Sequence, residues 1–496
     1  MDENNYGLPD DHIFTYEKLR EILENAIGKT LGEVDGNHVF DRAITNPKIT
    51  GIAGDVVEQS VLGYQPDSDQ RPDILVDGVP TEVKTTGIRY SKKKGHEKEY
   101  EAKEPMSITA VSPQRIVNEE FQSSNFWHKL AHMLLVYYLY DSEETVQAKD
   151  YADFYLKSYQ FYEFDEDDKA RLQNDWETVR DFIKDIQRNY PNPETQYPRI
   201  SSELREKLMY VDTAPKWPHP PRFRLKRSLV TAIVQSHFHK KLEKLPVEYD
   251  SFTDFDKKLH TITAMYKGKS VEELIEIFGI HIKDINKLNK AISEQIIVRM
   301  FGGKSNKINQ IDLFRKVGII AKSICISSKG TRTEDTKLFG IDFDEAENED
   351  LSYEDTSIFD YFMNHQVLCI IFEEKDKNQR FKDNKFVGFK RITFDFEFIN
   401  NEVRKTWEEI KDIIVNKKLV ENLRLRKDGS LLINKTGISS TFLNFPKSKN
   451  HIVFVRGGGK DSTVKPYFIN GLHIYKQYIW IKGSYMVQRL GEIDYI

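Results

Sequence analysis

The stretch from 71 to 87, RPDILVDGVPTEVKTTG, brings two carboxylates and an amine into one strand-like segment. Asp73 opens the first apolar run, and Glu82 and Lys84 lie two residues apart in the second. Because side chains alternate along a strand, Glu82 and Lys84 share a face, and pairing the two runs as a hairpin would add Asp73. Two carboxylates can share a magnesium ion, and a lysine beside them can stabilise a developing oxyanion. The set indicates metal-assisted hydrolysis of a phosphodiester bond.

The spacing alone is also compatible with the solvated face of an edge strand. Two further residues favour the site. Glu58 lies on the preceding predicted helix in VVEQSVLG, and Lys129 lies at the entry to an apolar strand in SSNFWHKLAHMLLVYY. A helix-surface glutamate and a snorkelling lysine at a strand end are the alternatives for these two positions.

Length and composition predict a soluble protein of two or three domains, because the chain has 496 residues with 39% hydrophobic and 30% charged side chains. A net charge of −5 excludes a generally basic nucleic-acid coat but not a local basic groove. The acidic start MDENNYGLPDDH and the lack of a long apolar run predict a cytoplasmic location. Cys325 and Cys369 lie in apolar, strand-like runs, which argues against disulfides and cysteine-bound metal.

The same series of segments occurs twice along the chain, with offsets between 231 and 256 residues that drift with loop length. This order predicts a duplicated domain, although two unrelated domains with chance similarity remain an alternative. We predict a first domain over 1–245, a linker without periodicity over 246–262, and a second domain over 263–496. The paired segments are AIGKTLGEV with YKGKSVEEL, GIAGDVVEQSVLG with KAISEQIIVRMFG, VPTEVKTT with VGIIAKSI, NDWETVRDFI with RKTWEEIKDII, and LKRSLV with IKGSYM.

The second copy has lost most of the charges of the first. Ile297, Ile320 and Phe362 stand where the first copy has Glu58, Glu82 and Lys129, and only Lys322 and a nearby Asp312 remain. Large apolar residues would be exposed if these positions were surface positions. We therefore expect a concave site in the first copy, filled in the second, and one active site per chain.

Basic residues cluster where a nucleic-acid cleft needs them. RYSKKKGHEK follows the first hairpin, PPRFRLKRS precedes a predicted helix, and a Gly-rich loop lies in FVRGGGKDSTVKPYF. A solvated basic face and a flexible tip are the alternatives. The candidates for contacts with phosphates and bases are Lys216, Arg222, Arg224, Lys226, Arg227, Arg456, Lys460 and Lys465.

These motifs resemble the MutH family of DNA endonucleases, and most of all its two-domain, GATC-cutting type II restriction endonucleases. The resemblance runs through GKTLGEV, GDVVEQSVLG, PDILVDGVPTEVKT, WHKL, DWETVRDFI and FRLKRSLVTAIV. It implies an α/β fold of two tandem restriction-endonuclease-like domains, each a mixed β-sheet flanked by helices, the second degenerate.

The resemblance also assigns roles. Asp73 and Glu82 would hold Mg²⁺ and Lys84 would be the lysine of a PD-(D/E)xK site, with Glu58 and Lys129 as the family's additional acidic residue and second lysine. It implies double-stranded DNA as the partner, at two sites per chain, a degenerate copy that acts as a DNA-binding effector, a DNA-dependent homodimer, and a cognate DNA methyltransferase.

Two departures from the family pattern stand out. The longer spacing from Asp73 to Glu82 predicts a wider turn at VDGVP, and the base-reading loop is shortened to YVDTAPKWPHPPRF. A mismatch-repair nickase and a non-catalytic DNA-binding regulator with a vestigial site are the alternative functions.

Overall fold

The computed structural model describes residues 8–47, 49–66, 70–91, 99–142, 146–213, 221–330, 333–349, 351–376, 379–433, 437–458 and 464–496. These residues form two compact units. The first contains the chain up to 142 together with 146–255 and 309–318, and the second contains 256–308 and 319–496. Within the described ranges, no helix has the length and apolar character needed to cross a membrane.

The first unit is a mixed sheet and a smaller sheet with helices around them. Its strands are β1 Ile13–Phe14, β2 Ile74–Val76, β3 Val79–Tyr90, β4 Tyr100–Ala102, β5 Met106–Ala110, β6 Met133–Leu139, β7 Leu156–Tyr162, β8 Val211–Asp212 and β9 Arg222–Leu225. Its helices are α1 Tyr16–Ala26, α2 Leu31–Val34, α3 Asp41–Thr45, α4 Ile52–Val56, α5 Pro113–Ile116, α6 Asn125–Ala131, α7 Glu166–Asn189, α8 Pro198–Glu203 and α9 Arg227–His237.

The order of the main sheet is β1-β2-β3-β6-β7, with β4 added on β3. Strand β3 runs parallel to β6, and β6 runs antiparallel to β7. The apolar run of β6 is buried from Met133 to Tyr138. A strand covered on both faces fits the centre of a mixed sheet. The smaller sheet has the order β5-β9-β8 and leads into α9.

The second unit repeats this design. Its strands are β10 Ile319–Ser327, β11 Thr336–Gly340, β12 Gln366–Glu374, β13 Lys385–Ile392, β14 Glu421–Leu423, β15 Thr441–Leu443, β16 Val453–Gly457, β17 Tyr467–Ile469, β18 Leu472–Ile474 and β19 Gln477–Ile481. Its helices are α10 Phe252–Tyr266, whose first turn is counted with the first unit, α11 Val271–Ile277, α12 Ile292–Met300, α14 Phe343–Glu347, α15 Ser357–Asn364, α16 Phe396–Phe398, α17 Arg404–Val415 and α18 Gly483–Gly491; α13 Asp312–Val317 belongs to the first unit.

The two units share topology and local signals. Strand β10 runs parallel to β12, and β12 antiparallel to β13, as β3, β6 and β7 do. A capping box opens α2 with Thr30 and Glu33, and another opens α11 with Ser270 and Glu273. The sheet β11-β19-β16 leads into α18 as β5-β9-β8 leads into α9. The predicted α/β class, with two tandem mixed-sheet units, is confirmed.

Two stretches fold differently from their sequence pattern. The segment that matches β2 is not a hairpin strand, because DLFRKV forms α13, which ends at Gly318 in the left-handed conformation. Most of the predicted linker over 246–262 is also regular, because α10 begins at Phe252. Phe252, Phe255, Leu259 and Ile262 are buried at helical spacing, a periodicity that the polar residues between them conceal.

A buried charge network holds α13 in the first unit. The Lys316 ammonium donates to Asp168 Oδ2 at 2.7 Å and lies 2.9 Å from Asp312 Oδ2. The other Asp168 oxygen accepts from Arg171 at 2.9 Å and from the Tyr210 hydroxyl at 2.6 Å. Asp168 is therefore the common acceptor for α7, α13 and the residue preceding β8.

Asp168→Ala is expected to lower the free energy of unfolding by about 3–5 kcal/mol, because it leaves two buried cations without their carboxylate. Urea denaturation followed by circular dichroism measures this change. Asp167→Ala is the matched control, since Asp167 is exposed on the same helical turn. Equal stability of the two variants would contradict the assigned role of the network.

Candidate active site

A tight hairpin places Asp73 beside Glu82. Asp77 and Gly78 both have positive φ, 47° and 83°, as in a two-residue type I′ turn. The resulting register pairs Ile74 with Thr81, so Asp73 lies next to Glu82 across the ladder. Asp73 Oδ2 accepts from the Val83 amide at 2.8 Å. The expectation of a wider turn is wrong.

Glu82 is the electrostatic centre of the site. Its side chain is 1% exposed. Its Oε1 accepts from Lys84 Nζ at 2.6 Å and from Lys129 Nζ at 2.9 Å, and its Oε2 accepts from Lys129 at 2.8 Å. A buried carboxylate requires such partners, because the desolvation of an unpaired charge is costly.

Helix α6 delivers Lys129 to this position. The Ser124 hydroxyl caps the helix by accepting from the Trp127 amide at 3.1 Å. After α6 the chain enters β6, and the His132 carbonyl accepts from the Glu82 amide at 3.0 Å. Lys129 is therefore on a helix that ends beside the sheet, and not on the strand itself.

Glu58 lies on a helix and not on the sheet that carries Asp73 and Glu82. It lies in a π-helical segment, Val57–Leu62, that continues α4 and ends at Gly63 with φ of 84°. Single-turn π-helical insertions occur frequently at functional sites. Helix α4 packs on β3, and the charges of Asp73, Lys84 and Glu82 act on the Glu58 carboxyl group.

Two carboxyl groups in the cluster titrate near neutrality. Burial, followed by the charges of Asp73, Asp55 and Glu82, raises the pKa of Glu58 to about 7, and Lys84 opposes this shift. Burial and the Glu82 charge raise the pKa of Asp73 to about 6, against Lys84, Lys129 and the Val83 amide. Burial lowers the pKa of Lys84, but the neighbouring carboxylates outweigh it and the net shift is upward.

This cluster fits a divalent cation as a set of oxygen donors. Among the described residues, no group of three or more His, Cys, Asp or Glu side chains forms a preformed metal cage. Burial and the neighbouring carboxylates raise the pKa values of Glu58 and Asp73, and a bound cation would favour their ionised forms. Asp73 and Glu82 are the residues that would hold the ion, with water completing the coordination, as magnesium prefers.

His12 is a member of the site that the sequence analysis missed. Its side chain is 3% exposed, and its Nδ1 lies 2.6 Å from the Asp73 carbonyl oxygen. The ring packs on Tyr64 with centroids 4.3 Å apart. A histidine just before a short strand carried no motif, so only its contact 61 residues away reveals the role.

Two comparisons with known proteins agree with this geometry. Residues 62–175 match the family described as DNA mismatch repair enzyme MutH. This stretch is MutH-like. The chain is also 23% identical to the type II restriction enzyme Sau3AI of Staphylococcus aureus, over 97% of this chain and 99% of that protein. Both matches support the predicted activity, a site-specific DNA endonuclease.

In the second unit a similar strand arrangement carries different chemistry. Lys322 donates to the Lys337 carbonyl at 2.8 Å and the Leu338 carbonyl at 3.2 Å, and burial lowers its pKa to about 8. Ile297 is fully buried and Ile320 half-buried. Counting from the caps Ser124 and Thr356 places Tyr361 at the position of Lys129, whereas counting back from the starts of β6 and β12 places Phe362 there.

The basic candidates of the first copy divide by their partners. Arg222 is exposed at the start of β9. Arg224 forms a bidentate pair with Asp212 at 2.7 and 3.0 Å. Lys226 is buried and donates to the Leu208 carbonyl at 2.5 Å, and Arg227 donates to the Ala102 carbonyl at 2.7 Å. Lys226 and Arg227 are therefore occupied inside the unit.

The remaining candidates lie in the second copy or outside the described residues. Arg456 pairs with Asp335 at 2.7 Å, and Lys465 pairs with Glu421 at 2.6 Å. Lys216 and Lys460 lie outside the described residues, as does most of the SKKKGHEK run. Contacts of all these residues with DNA stay predictions.

Glu58→Gln is expected to raise the free energy of unfolding at pH 8. The pKa of Glu58 rises from 4.5 to about 7 on folding, so its ionisation destabilises the folded chain as the pH increases through this interval. We expect a gain of about 2 kcal/mol at pH 8 that vanishes below the unfolded pKa. Urea denaturation at both ends of the interval measures it.

Glu21→Gln is the control for this prediction, because Glu21 is exposed on α1. Its stability should follow that of the parent at both pH values. A Glu58→Gln variant that also follows the parent would show that Glu58 is solvated, contrary to its place in the cluster.

Proposed function

We propose that the chain is a Mg²⁺-dependent type II restriction endonuclease that hydrolyses double-stranded DNA at a short specific site, with GATC as the target. The observation that carries the proposal is Glu82, buried between Lys84 and Lys129 and adjacent to Asp73. The GATC target rests on the resemblance to the two-domain enzymes that cut this sequence.

Each residue has a distinct task in this proposal. Asp73 and Glu82 would hold a magnesium ion, and the chemistry that such an ion would supply is polarisation of the phosphoryl group and activation of a water. Lys84 and Lys129 keep positive charge beside the phosphate oxygens, where negative charge accumulates. Glu58, with a pKa of about 7, can accept or release a proton at neutral pH. His12 positions Asp73 through its backbone carbonyl.

The second copy serves as a DNA-binding effector in this proposal. It keeps the strand arrangement of the first but lacks the Glu82 carboxylate, so one chain contributes one cutting site. Cutting both DNA strands then requires either two chains or two successive binding events by one chain. We infer a dimer that assembles on DNA. We place the enzyme in the cytoplasm with a DNA methyltransferase that protects the same target.

A mismatch-repair nickase is the second candidate. It is favoured by one observation, the match of residues 62–175 to the family described as DNA mismatch repair enzyme MutH. The similarity to a type II restriction enzyme extends over 97% of the chain and covers both copies, and this favours restriction. The intact first-copy cluster argues against a non-catalytic regulator.

Asp73→Asn and Lys84→Ala are each expected to lower the cleavage rate by at least about 100-fold, because they remove a metal ligand and a stabilising cation. Affinity for duplex DNA should stay within about threefold of the parent, since phosphate contacts elsewhere dominate binding. Lys322→Met is the matched control, a loss of the corresponding lysine in the second copy, and it should keep cleaving. Full activity of either first-copy variant would contradict the site assignment.

The target and the strand chemistry are tested on plasmid DNA. Unmethylated and adenine-methylated plasmids are incubated with the protein, with and without Mg²⁺, and the ends are mapped. Double-strand ends at GATC that require Mg²⁺ are expected. Nicks alone would favour repair, ends at another sequence would contradict the target, and no cleavage in any condition would contradict the enzyme.

A further inference from the structure

A β-arm, defined as residues 421–433 and 437–443, separates α17 from β16 in the second unit. Strand β14 pairs with β15, with Leu423 opposite Thr441. The pairing continues outward, since the Arg424 amide donates to the Ser440 carbonyl at 2.8 Å and the Leu432 amide to the Arg424 carbonyl at 2.9 Å. The arm thus consists of three short, mutually bonded strand segments.

The outer part of this arm is exposed. Every residue from 423 to 433 is exposed, and many of these residues are large and apolar. A narrow ribbon of this size is marginally stable without a packing partner. The exposed apolar side chains of the arm are Leu423, Leu425, Leu431, Leu432, Ile433, Ile438 and Phe442.

The first strand of the β-arm is amphipathic. Leu423 and Leu425 alternate with Arg424 and Arg426, so one face is apolar and the other cationic. The bridge between Leu425 and Leu431 extends the apolar face to the neighbouring segment. On the cationic face, the Arg424 guanidinium lies 5.8 Å from the centre of the Phe442 ring.

Positive charge is concentrated at this face. Within the described part of the chain, Arg424, Arg426 and Lys427 form no ion pair with a described residue. Glu421, the carboxylate at the base of the arm, is engaged by Lys465 at 2.6 Å. Burial, followed by the charges of Arg424 and Arg456, lowers the pKa of Lys447 to about 8, so cations crowd one another here.

The fold itself does not require the β-arm. In the first unit the corresponding stretch, between α7 and β8, contains no strand among its described residues and folds into α8 and short 3₁₀ turns. An exposed, amphipathic extension that only the second copy carries is therefore a feature added to a shared scaffold.

We propose that the β-arm is a contact surface for duplex DNA in the second copy, with Arg424, Arg426 and Lys427 on phosphates and the leucines against sugars and base edges. The inference rests on the proposed function, because it supplies the effector copy with its DNA contact. A β-ribbon fits the width of the major groove, and apolar side chains beside cations are typical of proteins that contact groove walls and floors.

Charge distinguishes DNA from a second copy of this chain as the occupant. Two arms docked face to face would bring their cations together, which disfavours self-association unless an anion lies between them. A polyanion with apolar groove surfaces satisfies both faces of the ribbon, whereas a second arm satisfies only the apolar face.

The test uses the full chain carrying Lys84→Ala, so that DNA is bound without being cut. Fluorescence anisotropy measures affinity for a GATC duplex over a salt series. Adding Arg424→Ala, Arg426→Ala and Lys427→Ala is expected to weaken binding at least about fivefold and to reduce the slope of log K against log salt by about 2 to 3, one for each lost phosphate contact.

The control removes the same charge from the same unit. Lys283, Lys287 and Lys405 are exposed lysines outside the arm, and their joint replacement by alanine should leave affinity and slope near the parent values. If the arm variant behaves like this control while the parent binds DNA, the arm proposal is wrong and the proposed function stands. If the parent itself fails to bind duplex DNA, both are wrong.

A second variant tests the apolar face. Leu425→Ser, Leu431→Ser and Ile433→Ser are expected to weaken DNA binding at least about threefold without changing the oligomeric state of the DNA-free protein, measured by light scattering. Unchanged DNA binding together with conversion of a DNA-free dimer to a monomer would identify a self-association surface and overturn the DNA assignment. Far-UV circular dichroism confirms that the unit remains folded.

Discussion

The buried carboxylate of Glu82 constrains how β3, α6 and β6 are arranged. It lies at 1% exposure in the centre of a mixed sheet, where an unpaired charge is strongly unfavourable. Lys84 neutralises it from the same strand and Lys129 from a capped helix, so β3, α6 and β6 must hold one arrangement. The burial and pairing of Glu82 exclude the alternative that Asp73, Glu82 and Lys84 form the solvated face of an edge strand, since solvated side chains need no such partners.

The second copy separates what the scaffold needs from what the chemistry needs. The parallel pair β3–β6 and the antiparallel pair β6–β7 recur in the second unit as β10–β12 and β12–β13. The helix caps Ser124 and Thr356 also correspond, but the acidic cluster does not recur. Lys322 there is satisfied by backbone carbonyls instead of a carboxylate, and its pKa moves down where that of Lys84 moves up. The acidic cluster is therefore not a requirement of the fold, and its retention in one copy points to function.

Additions to the shared scaffold distinguish the copies further. Helix α13 stands where the first copy has strand β2. Asp168 holds this helix in the first unit, although the chain before residue 309 and after residue 318 belongs to the second unit. The β-arm replaces a helical stretch and carries cations and leucines outward. Both changes lie outside the strands that align the acidic cluster, so the geometry of the cluster does not depend on them.

The sequence alone determined the strand pattern around Glu82, the duplication, and the loss of charge in the second copy, because alternation, spacing and residue type are local properties. Only the tertiary structure decided which cations are occupied, since Lys226 and Arg222 look alike in sequence but differ in burial. It also decided the contacts of His12 and Asp168 and the helical form of the stretch that matches β2. Each of these depends on contacts between residues distant in the chain, which no local pattern encodes.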